Sequence, residues 1–127
     1  MIRIDLDNPR PIEDQIAGCL RQAIAEGSVG PGEDLPSVRQ LAGDLGVHWN
    51  TVARAYRQLA DEGLLTVRRG RGAVTRDQAR TNVRMSRATL RQQFCDSVAA
   101  GVLGGLSHKD IAETFTEALA NFGERKR

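Results

Sequence analysis

The sequence predicts an α+β fold, in which three helices and a short β-hairpin form an N-terminal domain and two more helices follow. Three observations predict this fold. Apolar residues recur at helical spacing in five segments, glycine or proline separates most of those segments, and one central run has the arginine- and glycine-rich composition of a hairpin. The 127 residues, 40% hydrophobic and 27% charged, have the composition of an ordinary globular chain.

The first 34 residues predict a strand, a helix and a loop. Residues 2–6 alternate apolar and polar side chains, which indicates a short strand with Ile2, Ile4 and Leu6 on one face. Pro11 is suited to the first turn of the helix that follows, and apolar residues at helical spacing continue it to about Glu26. The residues after Gly27 are rich in glycine and proline and predict a loop.

The next segment predicts two short helices joined by a tight turn. Ser37 and Gln40 have the spacing of a capping box, and Gly46 suits the left-handed conformation that ends a helix. The second helix is expected from about His48 to Glu62. Its buried stripe comprises Val52, Ala55, Tyr56 and Leu59. Its opposite face comprises Asn50, Ala53, Arg54 and Arg57.

A hairpin is predicted directly after these helices. Residues 64–69 and 73–76 are strand candidates, and Gly70-Arg71-Gly72 forms the tip because glycine permits positive φ. A capped helix, a tight turn, an amphipathic helix and a hairpin, in this order, are the parts of a winged helix-turn-helix that reads duplex DNA.

The charge distribution supports a nucleic-acid partner more than the net charge of +2 does. Residues 39–80 hold eight arginines against four acidic residues, whereas residues 1–38 hold three arginines against seven. A local basic patch is what attracts DNA, and arginine and asparagine suit guanine and adenine edges. The candidate DNA-binding residues are Ser37, Arg39, His48, Trp49, Asn50, Thr51, Arg54, Arg57, Arg68, Arg69, Gly70 and Arg71.

Two of these candidates also have a purely structural interpretation. His48 is suited to capping its own helix, and Trp49 could be a core or interface residue. Thr51 and the free N–H groups at the start of the same helix could hold a phosphate.

The C-terminal part predicts a linker over residues 77–85 and a two-helix tail over residues 86–123, after a DNA-binding domain over residues 1–76. Ser86 and Ser107 are suited to capping the two helices. The candidate dimerisation residues are Leu90, Phe94, Val98, Val102, Phe115, Leu119 and Phe122. A homodimer with C2 symmetry would match the two half-sites of a palindromic operator, and packing of the tail on its own domain is the alternative.

Residues 35–72 resemble the DNA-binding domain of the GntR family of bacterial transcription regulators. The matches are Leu35, Pro36, Ser37, Arg39, Leu41, Ala42, Gly46, Val47, Thr51, Val52, Ala55, Tyr56, Leu59, Glu62, Gly63, Leu64, Arg69, Gly70 and Gly72. The resemblance covers about residues 1–76 and implies DNA contacts at Arg39, at residues 48–51 and at Gly70. Trp49 and Ala53 differ from the residues common at these positions in the family. The base preferences of other members therefore cannot be transferred to this chain.

The last 50 or so residues resemble the short tail of the YtrA-type branch of that family. This resemblance implies homodimerisation through the tail and, often, control of transporter genes. From the length of 127 residues we expect no separate effector domain of the kind that larger members carry. Whether an unidentified small-molecule effector binds between the tail and the winged domain is left open by the sequence.

Other classes of function have little support in the sequence. No constellation of residues suits catalysis, so we expect no enzyme and no cofactor or metal. Cys19 and Cys95 are expected to be buried thiols on helices rather than a disulfide or metal pair. We expect a homodimeric repressor that reads a palindromic operator through the helix at residues 48–62 and the wing at residues 64–76. The main alternative is a winged-helix module that binds another protein.

The sequence also predicts a cytoplasmic location. No apolar run approaches the roughly 18 residues of a membrane span, and the N-terminus lacks the pattern of a signal peptide. We therefore expect no association with a membrane.

Overall fold

The computed structural model describes residues 2–68, 72–76 and 81–123, and the chain divides between Asn82 and Val83 into two compact units. The N-terminal unit contains α1 (Ile12–Glu26), β1 (Asp34–Leu35), α2 (Val38–Leu45), α3 (Trp49–Asp61), β2 (Leu65–Arg68) and β3 (Gly72–Thr75). The C-terminal unit contains α4 (Arg87–Leu103) and α5 (His108–Ala120). The predicted α+β class is confirmed, and the predicted helix ends agree to within about two residues.

The core of the N-terminal unit lies where α1 and α2 pack against α3. Every residue of the predicted α3 stripe is buried, and Val52, Ala55 and Leu59 are fully inaccessible to solvent. Ile16 and Leu20 of α1 contribute the other large side chains. Because this stripe faces inward, the polar face of α3 is left toward solvent.

The sheet has three antiparallel strands in the order β1-β3-β2. The β2–β3 register pairs Leu65 with Thr75 and Arg68 with Gly72, so the predicted hairpin is present. Its tip, residues 69–71, lies outside the described residues.

The two-residue strand β1 was not predicted, because its sequence follows a loop and is too short to show alternation. The buried Thr75 holds this loop against β3. Its Oγ1 donates to the Gly30 carbonyl (2.6 Å) and accepts from the Glu33 amide (2.9 Å).

The predicted strand at residues 2–6 is wrong. Ile2 and Ile4 pack on the core, but among the described residues no strand pairs with this segment. The buried Gln15 takes the place of a neighbouring strand. Its Oε1 accepts from the Asp5 amide (2.8 Å) and its Nε2 donates to the Asp5 carbonyl (3.1 Å). The chain then turns, which leaves Leu6 exposed rather than on the face of Ile2 and Ile4.

The helix caps are local features, and most were predicted correctly. The Ser37 Oγ accepts from the Gln40 amide (3.1 Å), and Gly46 ends α2 with φ 69°. A reciprocal capping box is present at Ser107, where the Asp110 carboxylate accepts from the Ser107 amide (3.0 Å). These hydrogen bonds lower the pKa of Asp110 from its ordinary value.

The tail unit consists of two capped helices that bury none of their residues. Cys95 is exposed on α4, so the prediction that both thiols are buried is wrong there, and Cys19 on α1 is only half-buried. Phe122 was expected on the last helix but lies beyond its end at Ala120. The exposure of Cys95 agrees with the absence of any buried residue in α4.

Candidate nucleic-acid interface and tail surface

The N-terminus of α2 presents Ser37 and Arg39. Ser37 is half-buried as the cap of α2, and its hydroxyl can still donate a proton while it accepts from Gln40. Arg39 is exposed in the first turn of α2. Both groups are therefore placed at the positive end of a helix dipole, where an anion is favoured.

The tip of α3 is capped by His48, as its structural interpretation predicted. The His48 Nδ1 accepts from the Asn50 amide at 3.1 Å. Since Nδ1 accepts, the neutral imidazole carries its proton on Nε2, which gives the exposed ring an outward donor. Trp49 is 53% exposed, so it is not a core residue, and its ring lies 5.5 Å from that of His48.

The start of α3 offers fewer free amides than the sequence suggested. The Asn50 N–H donates to the His48 side chain and the Thr51 N–H donates to the His48 carbonyl at 3.0 Å. A phosphate at this end would therefore depend mainly on side chains and the helix dipole rather than on these two amides. The Asn50 and Thr51 side chains are themselves half-buried.

The outer face of α3 carries Arg54 and Arg57, both exposed. Arg54 lies one turn beyond Asn50, on the same face of the helix. Both arginines line a shallow surface depression together with Gln58 and three acidic residues, Glu13, Asp14 and Asp61. The two arginines share this depression and differ in their position along the helix, because Arg57 lies further from the tip than Arg54.

The base of the hairpin lies against the start of α2. A Cβ built on Gly72 would meet the Ser37 Cα at 3.1 Å and the Leu35 carbonyl oxygen at 3.1 Å. Arg68 is paired with Gly72 in the register and is exposed. Gly72, on the central strand β3, therefore lies between Arg68 on β2 and the start of α2. Arg69, Gly70 and Arg71 lie outside the described residues.

Tyr56 fixes the loop before α2 to the buried face of α3. Its hydroxyl donates to the Pro36 carbonyl at 2.7 Å, and burial raises the pKa of Tyr56 to about 12. The hydroxyl is therefore protonated throughout the physiological range. This hydrogen bond sets the position of the α2 N-terminus relative to α3.

Sequence reasoning missed the contacts that hold the C-terminal end of α3. The Arg21 guanidinium of α1 binds the Glu62 carboxylate through three hydrogen bonds of 2.9 to 3.1 Å. The Asn82 amide donates to the Glu62 carbonyl (2.8 Å), and its side chain donates to the Asp61 carbonyl (3.1 Å). No local pattern signals these contacts, because 41 residues separate Arg21 from Glu62.

Comparison with known proteins identifies the family. The sequence profile of the bacterial regulatory proteins, gntR family, matches residues 12–74. The HTH-type transcriptional repressor YtrA of Bacillus subtilis is 36% identical over 118 residues, which span 89% of this chain and 91% of the relative. The chain belongs to the GntR family. It is therefore a DNA-binding transcription regulator of a non-enzymatic family.

Two solved structures agree with the fold of this GntR member. YtrA from Sulfolobus acidocaldarius, a GntR-family transcription factor, is 39% identical with a TM-score of 0.59, over 77% of this chain and 97% of that one. A transcriptional antiterminator from Listeria monocytogenes EGD-e has a TM-score of 0.74, over 100% of this chain and 96% of that one. At 24% identity, the second likeness concerns the fold alone. Together they confirm the winged-helix unit and the C-terminal helices.

Two further findings, on metal sites and on membrane spans, apply to the described residues of this GntR regulator. Their histidine, cysteine and acidic side chains form no group of three or more that could hold a metal ion. Every helix in those ranges is too short or too polar to traverse a lipid bilayer.

The tail of this GntR regulator carries a continuous apolar surface. Six of the predicted dimerisation residues are between 38% and 58% exposed. They are Leu90, Phe94, Val98, Val102, Phe115 and Leu119. The rings of Phe94 and Phe115 meet edge to face at 5.5 Å, and both line a groove of about 630 Å³ between α4 and α5.

Proposed function

We propose that this GntR regulator is a homodimeric repressor that reads a palindromic operator through α3 and the wing formed by β2 and β3. The single observation that carries the proposal is the presence of polar and basic groups, exposed or half-buried, at the tip of α3 and at the start of α2. Such a protein would act in the cytoplasm, where bacterial promoters lie. Bound across a promoter, it would block the polymerase, as the word repressor in the name of the B. subtilis relative suggests.

The proposed DNA contacts divide by chemistry. Asn50 and Arg54 lie on one helix face at the tip of α3 and suit adenine and guanine edges in the major groove. Ser37 and Arg39 would bind flanking phosphates, and His48 would donate through Nε2. Trp49 would contact a base or a sugar. Arg68 to Arg71 would follow the neighbouring groove.

The proposed dimer is supported by the lack of a core in the tail. Two helices that bury no residue gain little stability from packing within one chain, so their apolar faces need a partner. A second copy presents the same apolar faces, related by a two-fold axis. Such a surface is complementary to itself, as a C2 interface requires. A small apolar effector in the α4–α5 groove would compete with that partner, and binding of one would weaken the other.

Selection of random duplex sequences with the purified chain tests the proposal. The expected result is an inverted repeat whose half-sites are about one helical turn apart. Asn50→Ala and Arg54→Ala should then each relax the preference at one base pair by about 1–3 kcal/mol. Gln22→Ala, on the exposed face of α1, is the control and should leave the selected site unchanged.

Three results would contradict the proposal. Selection without any enriched repeat would contradict sequence-specific reading. A single half-site would contradict the palindrome. Binding of a protein partner without binding of duplex DNA would favour the interaction module instead, with the exposed Trp49 as its anchor.

A further inference from the structure

We propose that Glu13, Asp14 and Asp61 form an acidic margin that keeps phosphates away from the C-terminal half of α3. This inference rests on the proposed reading of DNA through α3 and deepens it. It identifies residues that set specificity through repulsion rather than through contact. Specific binding requires that non-specific binding be weak, and repulsive groups are one way to achieve this difference.

The geometry places these carboxylates beside the arginines that would otherwise meet DNA. Glu13 and Asp14 of α1 and Asp61 of α3 line the same shallow depression as Arg54 and Arg57. Three carboxylates and two guanidinium groups thus line the depression, and the formal charge of its lining is net negative. Arg10 donates to the Asp14 carbonyl at 3.3 Å but does not line the depression.

The two helix dipoles at this depression have opposite effects on a phosphate, and acidic side chains offset the favourable one. Asp61 is the last residue of α3, where the dipole is negative and disfavours phosphate. The N-terminus of α1 is positive and would otherwise attract an anion, but Glu13 and Asp14 occupy its first turn. The two helix ends that meet at this depression are thus both unattractive to a phosphate.

This arrangement distinguishes Arg57 from Arg54. Arg54 is one turn from the α3 tip, whereas Arg57 lies further along the helix toward Asp61. With the acidic margin intact, Arg57 would remain outside the DNA contact and the helix would enter the groove by its tip. Without the margin, Arg57 would gain a phosphate, and binding to any sequence would strengthen.

The experiment measures binding to a random-sequence duplex by fluorescence anisotropy over a range of salt concentrations, so it needs no known operator. The variants are Glu13→Gln alone and the triple Glu13→Gln, Asp14→Asn, Asp61→Asn. The triple should bind about fivefold or more tightly than wild type near 0.1 M salt. Its logarithmic salt dependence should be steeper by about one, since one more phosphate is neutralised.

Glu26→Gln is the matched control for Glu13→Gln. It makes the same chemical change at the opposite end of α1, about 20 Å along the helix axis, which is about two Debye lengths at 0.1 M salt. It should leave the affinity for random DNA unchanged. Circular dichroism of each variant checks that helix content is retained.

Arg57→Ala provides a readout that a change in net charge alone would not give. In the wild-type background it should change random-duplex binding by less than about twofold, whereas in the triple background it should remove most of the gain. An equal loss in both backgrounds would overturn the inference, because Arg57 would then contact DNA despite the margin.

The remaining outcomes separate this inference from the proposed function. Wild-type binding to DNA with no gain in the triple variant would overturn the acidic margin alone. An equal gain from Glu26→Gln and Glu13→Gln would do so as well. Absence of duplex binding by wild type and triple variant alike, even at low salt, would overturn both proposals.

Discussion

Trp49 and Tyr56 are the only tryptophan and the only tyrosine of the chain, and α3 carries both. Trp49 is exposed at the tip, and Tyr56 is buried beneath the same helix. Each is therefore a reporter of one side of the proposed recognition helix. A spectroscopic signal from either residue can be assigned without any labelling.

Addition of duplex DNA should change the fluorescence of Trp49. A residue that is 53% exposed in the free protein would leave water for a base or a sugar surface when the α3 tip enters the groove. The measurement is a titration of emission against DNA, with anisotropy of labelled DNA recording binding independently. Saturated binding with unchanged emission would show that Trp49 lies away from the DNA.

Tyr56 should titrate near pH 12, about two units above the ordinary value of 10. Because the pKa is raised in the folded state, its contribution to stability is complete below about pH 10 and is lost as pH rises toward 12. Tyrosinate absorbance measures the titration directly.

The variant Tyr56→Phe provides the control for this titration. It should lose about 1 kcal/mol at neutral pH through the missing hydrogen bond to Pro36. Chemical unfolding at several pH values should show a smaller alkaline loss of stability in the variant. A wild-type titration near pH 10 would contradict the burial of the hydroxyl.

At the scale of elements, the packing of the wing against α2 depends on Gly72. Its φ is +77°, and an added Cβ would meet backbone atoms of Leu35 and Ser37 that cannot move as a side chain can. Gly72→Ala should therefore destabilise the protein by about 1–3 kcal/mol and weaken DNA binding. Thermal or urea unfolding measures the first effect, and anisotropy measures the second.

Gly43 provides the matched control for Gly72. It lies within α2 without positive φ, and nothing lies within 4 Å of an added Cβ. Gly43→Ala should stabilise the protein by about 0.5–1 kcal/mol, because alanine is the better helix residue. Equal effects of the two substitutions would contradict a close approach of the wing to the start of α2.

At the scale of the whole molecule, the two units differ in how they are stabilised. The N-terminal unit has a continuous core that includes residues of α1, α2, α3 and all three strands. The tail has two capped helices and an apolar groove but no buried residue. We therefore expect stability of the tail to depend on protein concentration, as it does for elements that fold by association.

The proposed dimer should dissociate when an anchor of the tail groove is made polar. Phe94→Asp and Phe115→Asp should each weaken self-association at least about 30-fold, since buried aromatic anchors contribute about 2 kcal/mol or more. Sedimentation equilibrium measures the change in self-association. Phe94→Ala removes the ring without adding a charge, so it tests the same contact if a charged variant unfolds the tail. Leu6→Asp, at an 82% exposed residue of the other unit, is the control. A monomeric wild-type protein at high concentration would contradict the dimer.

Much of the fold was predictable because its signals are local. Ser37, Ser86 and Ser107 cap helices, and each accepts from an amide three residues ahead. The stripe of α3 and the Gly46 turn likewise depend on neighbours within one or two helical turns. The α+β class and the order of the helices and the hairpin follow from these signals.

The remaining features required the tertiary structure because their partners are distant in sequence. Alternation at residues 2–6 predicted a strand, but Gln15, ten residues from Asp5, satisfies the backbone there instead. Charge counting alone could not place Glu13 and Asp14 beside Arg57. The sequence by itself determined which helices form and which face of α3 is polar, since those properties depend on residues within a turn. Only packing decided what surrounds that polar face, because side chains more than 40 positions apart become neighbours only when the core closes.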